Sequence, residues 1–213
     1  MRATAVIAGG MALLNAGALA GQEALDVCRS IGNVEVGYWV EYQLVSVGGA
    51  QPAPNRLRQA LVGRESVDGR SYLQFETSMS MPQGSAVIQM LVPAYPFEPG
   101  DVAGLVMKMG DQPAMPVPRE MIQMMRNRMP RDPTTNIGKQ CGEAEVVGWE
   151  SITVPAGTFR ALHLRPPPAD GATSDIWVSP DIPFGMVRVL MAGGTEGEIT
   201  LVAHGTDAVS SIN

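Results

Sequence analysis

Methionine is the residue type in this sequence with the clearest chemical potential. The chain has 213 residues and 14 methionines, and ten of the methionines lie between Met79 and Met129. On a strand, a Met-x-Met spacing such as Met107 and Met109 points two thioethers to one side, and thioethers are soft ligands that suit Cu(I). The same unbranched, polarizable side chains also line adaptable apolar grooves or fill cores. Three interpretations are therefore open: a groove for a hydrophobic ligand, a copper site, or ordinary core packing.

A hydrophobic groove is the main hypothesis, because part of the methionine cluster lies on a predicted helix among predicted strands. The expected ligand is a lipid, an acyl chain or an apolar peptide. The candidate ligand-binding residues are Met79, Met90, Met107, Met109, Met121, Met124, Met125 and Trp39. If thioethers bind copper instead, the candidate ligands are Met79, Met81, Met107 and Met109. We assign no metal ligand, since no histidine or cysteine accompanies the cluster and metal sites commonly recruit them.

Catalytic motifs do not stand out in the sequence. It has two histidines, His163 and His204, and each lies in a predicted strand. The HExxH motif of metalloproteases and the GxSxG motif of hydrolases are both missing. We therefore expect a protein that is not an enzyme, with no cofactor, whose histidines lie on strand faces.

The first 20 residues predict export. Arg2 precedes an apolar stretch and small residues lead to Ala20, the layout of a secretory signal peptide that is cleaved after Ala20. No later stretch is apolar enough for a transmembrane segment. Cys28 and Cys141 are the two cysteines, and in an exported chain such a pair indicates a disulfide. Lipidation of Cys28 is the alternative, although Asp26 fits a lipobox poorly. The expected location is the periplasm or the extracellular space.

Charge and composition narrow the range of partners. Fifteen basic and 21 acidic residues give a net charge of −6, so a nucleic-acid partner is not expected. With 45% hydrophobic and 17% charged residues, the chain can form a sizeable core. The expected partners are a hydrophobic small molecule or lipid, or a cell-envelope protein if the chain is a structural or assembly component without a small ligand.

Apolar and polar residues alternate with period two along most of the chain, which predicts strands. The strand candidates are Val34–Leu44, Leu57–Glu65, Ser71–Met81, Ala86–Val92, Val102–Met109, Glu145–Val154, Thr158–Arg165, Asp175–Ser179, Met186–Met191 and Glu198–His204. Pro118–Met129 predicts a short amphipathic helix, and the proline-rich segment before it predicts an irregular connection. The expected fold is mainly β: a single domain over residues 21–213, with one curved antiparallel sheet or half-barrel of about eight or nine strands and one helix.

Two stretches in the C-terminal half carry a family resemblance. The first is Val154-Pro155-Ala156-Gly157-Thr158-Phe159, and the second runs from Asp175 through Trp177 to Arg188. Together they resemble uncharacterised exported bacterial β-sheet proteins and, more distantly, the outer-membrane lipoprotein carrier and receptor superfamily. In that superfamily a half-barrel wraps a helix and shelters acyl chains. The resemblance implies non-catalytic binding of an apolar ligand and assigns no catalytic residue.

Overall fold

The computed structural model describes residues 24–31, 33–47, 55–81, 84–126, 137–168, 171–193 and 196–212. The predicted signal peptide, residues 1–20, lies outside these ranges. Within the ranges, no helix is both long enough and apolar enough to cross a membrane.

One open antiparallel sheet dominates the described part of the chain. Its strands are β1 (Trp39–Val47), β2 (Asn55–Val67), β3 (Arg70–Met81), β4 (Gly84–Val92), β5 (Gly104–Met109), β6 (Met115–Pro116), β7 (Glu145–Val154), β8 (Gly157–Arg165), β9 (Thr173–Val178), β10 (Met186–Ala192) and β11 (Glu196–Gly205). Their order in the sheet is β6-β5-β4-β3-β2-β1-β11-β10-β9-β8-β7. Two meanders are therefore joined through the pairing of β1 with β11.

The prediction of a mainly β antiparallel fold is confirmed, but the expected number of strands is too low. The sheet has 11 strands instead of eight or nine. β6 is the strand with no counterpart among the candidates, because it occupies two residues of the proline-rich connection. The first strand also begins later than expected, at Trp39 and not at Val34. Gly37, with φ 101°, turns the chain just before it.

The prediction of a single helix is wrong. Residues 24–30 form a helix, α1, and Arg119–Arg126 and Ile137–Glu143 form α2 and α3. A 3₁₀ turn covers Pro99–Asp101. α1 and α3 are each about two turns long, too short for a clear helical period in the sequence. α2 agrees with the predicted helix, and residues 127–130 at its expected end lie outside the described residues.

The predicted disulfide is confirmed and joins the two helices that the sequence did not indicate. Cys28 of α1 and Cys141 of α3 are bonded, with their Cα atoms 5.6 Å apart. Val27 and Ile31 on one side and Ile137 on the other are buried in the same apolar cluster as the strands. The disulfide-linked pair α1 and α3 therefore covers the sheet.

The core lies on one face of the sheet, here called the core face. Strand pairing places on it the fully buried side chains of Tyr42, Phe75, Leu162 and Ile176, among others. Phe75 also contacts Tyr95, Phe97 and Phe184, which lie on the β4–β5 and β9–β10 connections. α2 contacts β5, next to the edge of the sheet. The expectation that the sheet wraps the methionine-rich helix is thus corrected: α1 and α3 supply helical residues to the core, together with Ile122 of α2.

The other face of the sheet, the opposite face, is partly covered by the chain's own C-terminal segment. Residues 206–212, here called the C-terminal strap, follow β11. The Ser211 N–H and the Ser210 hydroxyl donate to the carboxylate of Glu76, and Lys108 Nζ donates to Ser211 O over 3.0 Å. Glu76 is only 1% exposed as a result.

Candidate functional site

The strand register collects several of the predicted methionines on the core face at the β6 end of the sheet. Met79 is opposite Ala86, which is opposite Met109. In the next row, Ile88 is opposite Met107, which is opposite Met115. We call Met79, Ile88, Met107, Met109 and Met115 the methionine shelf.

Exposure increases across the shelf toward the edge of the sheet. Met90, in the row next to it, is 7% exposed and belongs to the core. Met79, Ile88 and Met107 are half-buried. Met109 is 46% exposed and Met115 is 57% exposed. The shelf is therefore the part of the core face that emerges into solvent as the cover over the core ends.

An open groove adjoins the exposed end of the shelf. Its volume is about 690 Å³, and it is lined by Gly84, Ser85, Met109, Gly110, Asp111, Gln112 and Pro113. This volume lies within the range of small-molecule sites, about 300–1,000 Å³. Met109 belongs to both the shelf and the groove, so the two form one continuous surface.

Two methionines of α2, Met121 and Met124, lie at the same edge of the sheet and face solvent. Met121 is 51% exposed and Met124 is 63% exposed, whereas Ile122 between them is 3% exposed. Of the nine large apolar side chains that are exposed in the described residues, four are methionines of β5, β6 and α2. The side chain of Met125 lies outside the described residues.

Trp39 is not brought together with these methionines. It is opposite Ala60, which is opposite Glu76 on the opposite face of the sheet. Its indole Nε1 donates to Asp207 of the C-terminal strap over 2.7 Å, and this hydrogen bond lowers the pKa of the Asp207 carboxyl. Trp39 therefore anchors the strap, on the face of the sheet away from the shelf.

A polar cluster that the sequence analysis missed surrounds His163. The Nδ1 atom of His163 lies 2.8 Å from Oε1 of Glu150, and its Nε2 atom lies 2.7 Å from Oδ1 of Asp175. The imidazole stacks on Trp177 with 4.4 Å between ring centroids, and the Trp177 indole donates to Glu150 Oε2 over 2.9 Å. Glu150, His163 and Asp175 thus link the neighbouring strands β7, β8 and β9.

The hydrogen bonds of this cluster stabilise both carboxylates in their charged form. Hydrogen bonds from Trp177 and His163 lower the pKa of Glu150 and outweigh its burial. Burial raises the pKa of Asp175, but hydrogen bonds from His163 and Arg165 reverse the effect, and the net pKa is lowered. Within the described residues, no group of three His, Cys, Asp or Glu side chains could hold a metal ion.

The register of the β7–β8 hairpin is the signal that could have revealed the cluster. Pro155 and Ala156 form the turn of this hairpin, and Val154 pairs with Gly157 across it. Counting back from this pair places Glu150 opposite Ala161, on the same face as His163 and diagonal to it. The same counting does not predict the position of Asp175, because the length of the connection before β9 does not fix the register of that strand.

Comparisons with known proteins show similarity in structure without similarity in sequence. No protein-family profile matches the chain, and no curated protein matches its sequence. The alignment with a candidate lipoprotein from Parabacteroides distasonis ATCC 8503 covers 80% of this chain and 96% of that protein's chain, at 13% sequence identity and with a TM-score of 0.39. The alignment with a candidate exported protein with a YmcC-like fold from Bacteroides fragilis NCTC 9343 covers the same fractions of the two chains, at 11% sequence identity and with a TM-score of 0.38.

MucB, in its complex with MucA(peri), matches 91% of this chain and 58% of its own length at 8% identity, with a TM-score of 0.47. These values do not show a family. The resemblance to the lipoprotein carrier and receptor superfamily stays a prediction.

Proposed function

We propose that this chain is an exported, non-catalytic protein that binds the acyl chain of a lipid on the methionine shelf and in the groove beside it. The observation that carries the proposal is the exposure of Met109 and Met115, 46% and 57%, on the same face of the sheet as the buried core. An apolar surface that continues a core into solvent next to an open groove is typical of binding sites.

The chemistry of the shelf suits an unbranched hydrocarbon. The cross-strand partners of its methionines are Leu57, Ala86, Ile88 and other methionines, and none of them is charged. Lys108, between Met107 and Met109, points to the opposite face and donates to the C-terminal strap. Methionine has no branch and three rotatable bonds, so a row of methionines can adapt to a flexible chain.

The hydrogen bonds of His163 support the proposal that the protein binds a ligand and does not catalyse a reaction. A serine hydrolase needs an imidazole nitrogen to accept the proton of the serine hydroxyl. Both ring nitrogens of His163 are instead hydrogen-bonded to carboxylates. With a carboxylate at each ring nitrogen, neither nitrogen of His163 is placed to accept the proton of a serine hydroxyl.

The disulfide supports export. Cys28 and Cys141 are bonded to each other, and disulfides form and persist in oxidising compartments such as the periplasm and the extracellular space. The predicted signal peptide leads to the same location.

A fluorescent fatty acid tests the proposal. The protein from Gly21 onward, with its disulfide intact, is titrated with cis-parinaric acid. Burying part of a methionine side chain contributes about 1 kcal/mol, so the double variant M109S/M115S should bind about 10- to 30-fold more weakly. V147S is the matched control, because Val147 is 45% exposed on β7 at the other edge of the sheet. Absence of binding to the unmodified protein, or equal affinity in M109S/M115S, would contradict the proposal.

A further inference from the structure

We propose that Met107, Met109 and Met115 form a three-thioether site for Cu(I) at the outer end of the methionine shelf. This copper site lies on the surface that is proposed above to bind an acyl chain. Copper binding depends on the sulfur atoms of the methionines, whereas acyl-chain binding depends on their apolar surface. β5 supplies two of the ligands and β6 supplies the third.

The strand register brings the three side chains within reach of one ion. Met107 and Met115 are directly opposite each other on the antiparallel pair β5–β6, and such pairs have Cβ atoms about 4.5–5.5 Å apart on one face. Met109 lies two residues along the same face, diagonal to Met115, at a distance of about 7–8 Å that long side chains can bridge. Three rotatable bonds let each methionine turn its sulfur toward a common point.

β6 holds Met115 in this position although the strand has only two residues. Pro116 pairs with Val106, and Val117 N–H donates to Leu105 O over 2.8 Å. These backbone contacts on the C-terminal side of Met115 set its register against Met107. The third ligand is therefore placed by main-chain hydrogen bonding of the segment that follows it.

The ligand set that the sequence suggested is not the set that the structure brings together. Met79 faces Met109 across Ala86, so two inter-strand spacings of about 4.8 Å separate their backbones. The side chain of Met81 lies outside the described residues. Met115, which the sequence analysis left out of the copper candidates, is the thioether adjacent to Met107.

The type of ligand atom determines which metal ion the site prefers. Thioethers are soft and uncharged, so they favour a soft monovalent ion such as Cu(I) over Zn²⁺, Ca²⁺ or Mg²⁺, which prefer imidazole, thiolate or oxygen ligands. Met109 and Met115 are about half exposed, which gives the ion direct access from solvent. No buried charge has to be compensated when it binds.

Ag(I), a redox-inert soft ion, and Cu(I) under anaerobic conditions are the probes. Titration of the disulfide-bonded protein from Gly21 onward, with ¹³C-methyl methionine labelling, should show one bound ion and shifts of the Met107, Met109 and Met115 methyl resonances. The triple variant M107L/M109L/M115L should bind at least tenfold more weakly, because leucine keeps the apolar volume and removes the sulfur. The control variant M79L/M121L/M124L should bind as the unmodified protein does.

Two results would overturn the inference: no binding of either ion, or equal loss of affinity in the triple variant and its control. The same triple variant separates this site from the proposed function. Binding of cis-parinaric acid should persist in M107L/M109L/M115L, since leucine is as apolar as methionine, whereas M109S/M115S should bind both ligands more weakly. Loss of ion binding alone in the leucine variant therefore identifies a thioether site.

Discussion

Replacing His163 by phenylalanine should destabilise the protein by about 2 kcal/mol. A phenyl ring retains the stacking on Trp177 and loses both nitrogen contacts. A hydrogen bond to a charged group contributes about 1.5–3 kcal/mol, but the side chains of Glu150 and Asp175 are 42% and 33% exposed. Each carboxylate also keeps a second donor, Trp177 or Arg165. Solvent screening and these donors reduce each loss to about 1 kcal/mol.

The expected loss lowers the midpoint of thermal unfolding by about 4–8 °C, since a chain of this size shifts by about 2–4 °C for each kcal/mol. Circular dichroism at pH 7, under non-reducing conditions, measures the shift. His204→Phe is the matched control, because His204 is exposed and its ring contacts Phe159 without a carboxylate partner among its described contacts. A His163→Phe protein as stable as the unmodified protein would refute the reasoning, as would an equal loss in the control.

The pH dependence of this effect has a defined sign. The pKa values of Glu150 and Asp175 are lowered in the folded protein, so their charged forms stabilise the fold above the unfolded pKa values of about 4. That contribution is lost as the pH falls through about 4 toward the folded pKa values. The difference in stability between the unmodified protein and His163→Phe should therefore shrink as the pH falls below about 4. A difference that grows below about pH 4 would contradict the assignment of the hydrogen bonds.

Three further changes test the fold around the sites. Glu76→Gln should weaken the hydrogen bonds to the C-terminal strap by about 1 kcal/mol, so amide exchange at Ser211 should become about fivefold faster while exchange in the core strands is unchanged. Replacing Cys28 and Cys141 by serine should lower the free energy of unfolding in urea by about 4–5 kcal/mol, on the chain-entropy treatment of a long loop. Gly37→Ala should cost about 1–2 kcal/mol in the same assay, because its φ is 101° and an added Cβ would lie 2.5 Å from the carbonyl oxygen of Thr206. An alanine variant with unchanged stability would show that the turn before β1 relaxes.

Local signals in the sequence predicted the hairpins well. Asp68-Gly69 predicts a two-residue turn, and both residues have positive φ, 51° and 75°, as a type I′ turn requires. The turn pairs Val67 with Arg70. The side-chain alternation of β3, with Leu73 and Phe75 on the core face, follows from the same pattern. These features depend on neighbours within a few residues, so a single sequence contains them.

Features that depend on distant contacts could not be predicted in this way. The alternation from Val34 to Tyr38 looks like a strand, but Gly37 N–H donates to Leu61 O in a turn instead. Glu76 has the position of a solvent-facing residue in β3, yet the strap from the other end of the chain buries it. Period-two patterns describe which side chains share a face; they do not specify which segment pairs with, or covers, that face.

The same limit explains why the methionines could be named as candidates but not ranked. Met90 and Met109 have the same residue type and lie on the same face of adjacent strands, yet they are 7% and 46% exposed. The difference arises from the cover on the core face, which reaches Met90 and ends before Met109. Elements distant in sequence contribute to the buried cluster that contains Met90, among them α1 and α3, whose short helices leave no periodic signal and whose position is held by Cys28–Cys141. The surface available for a ligand is therefore set by where this buried cluster ends, so that an apolar residue becomes a binding residue only through contacts made elsewhere in the chain.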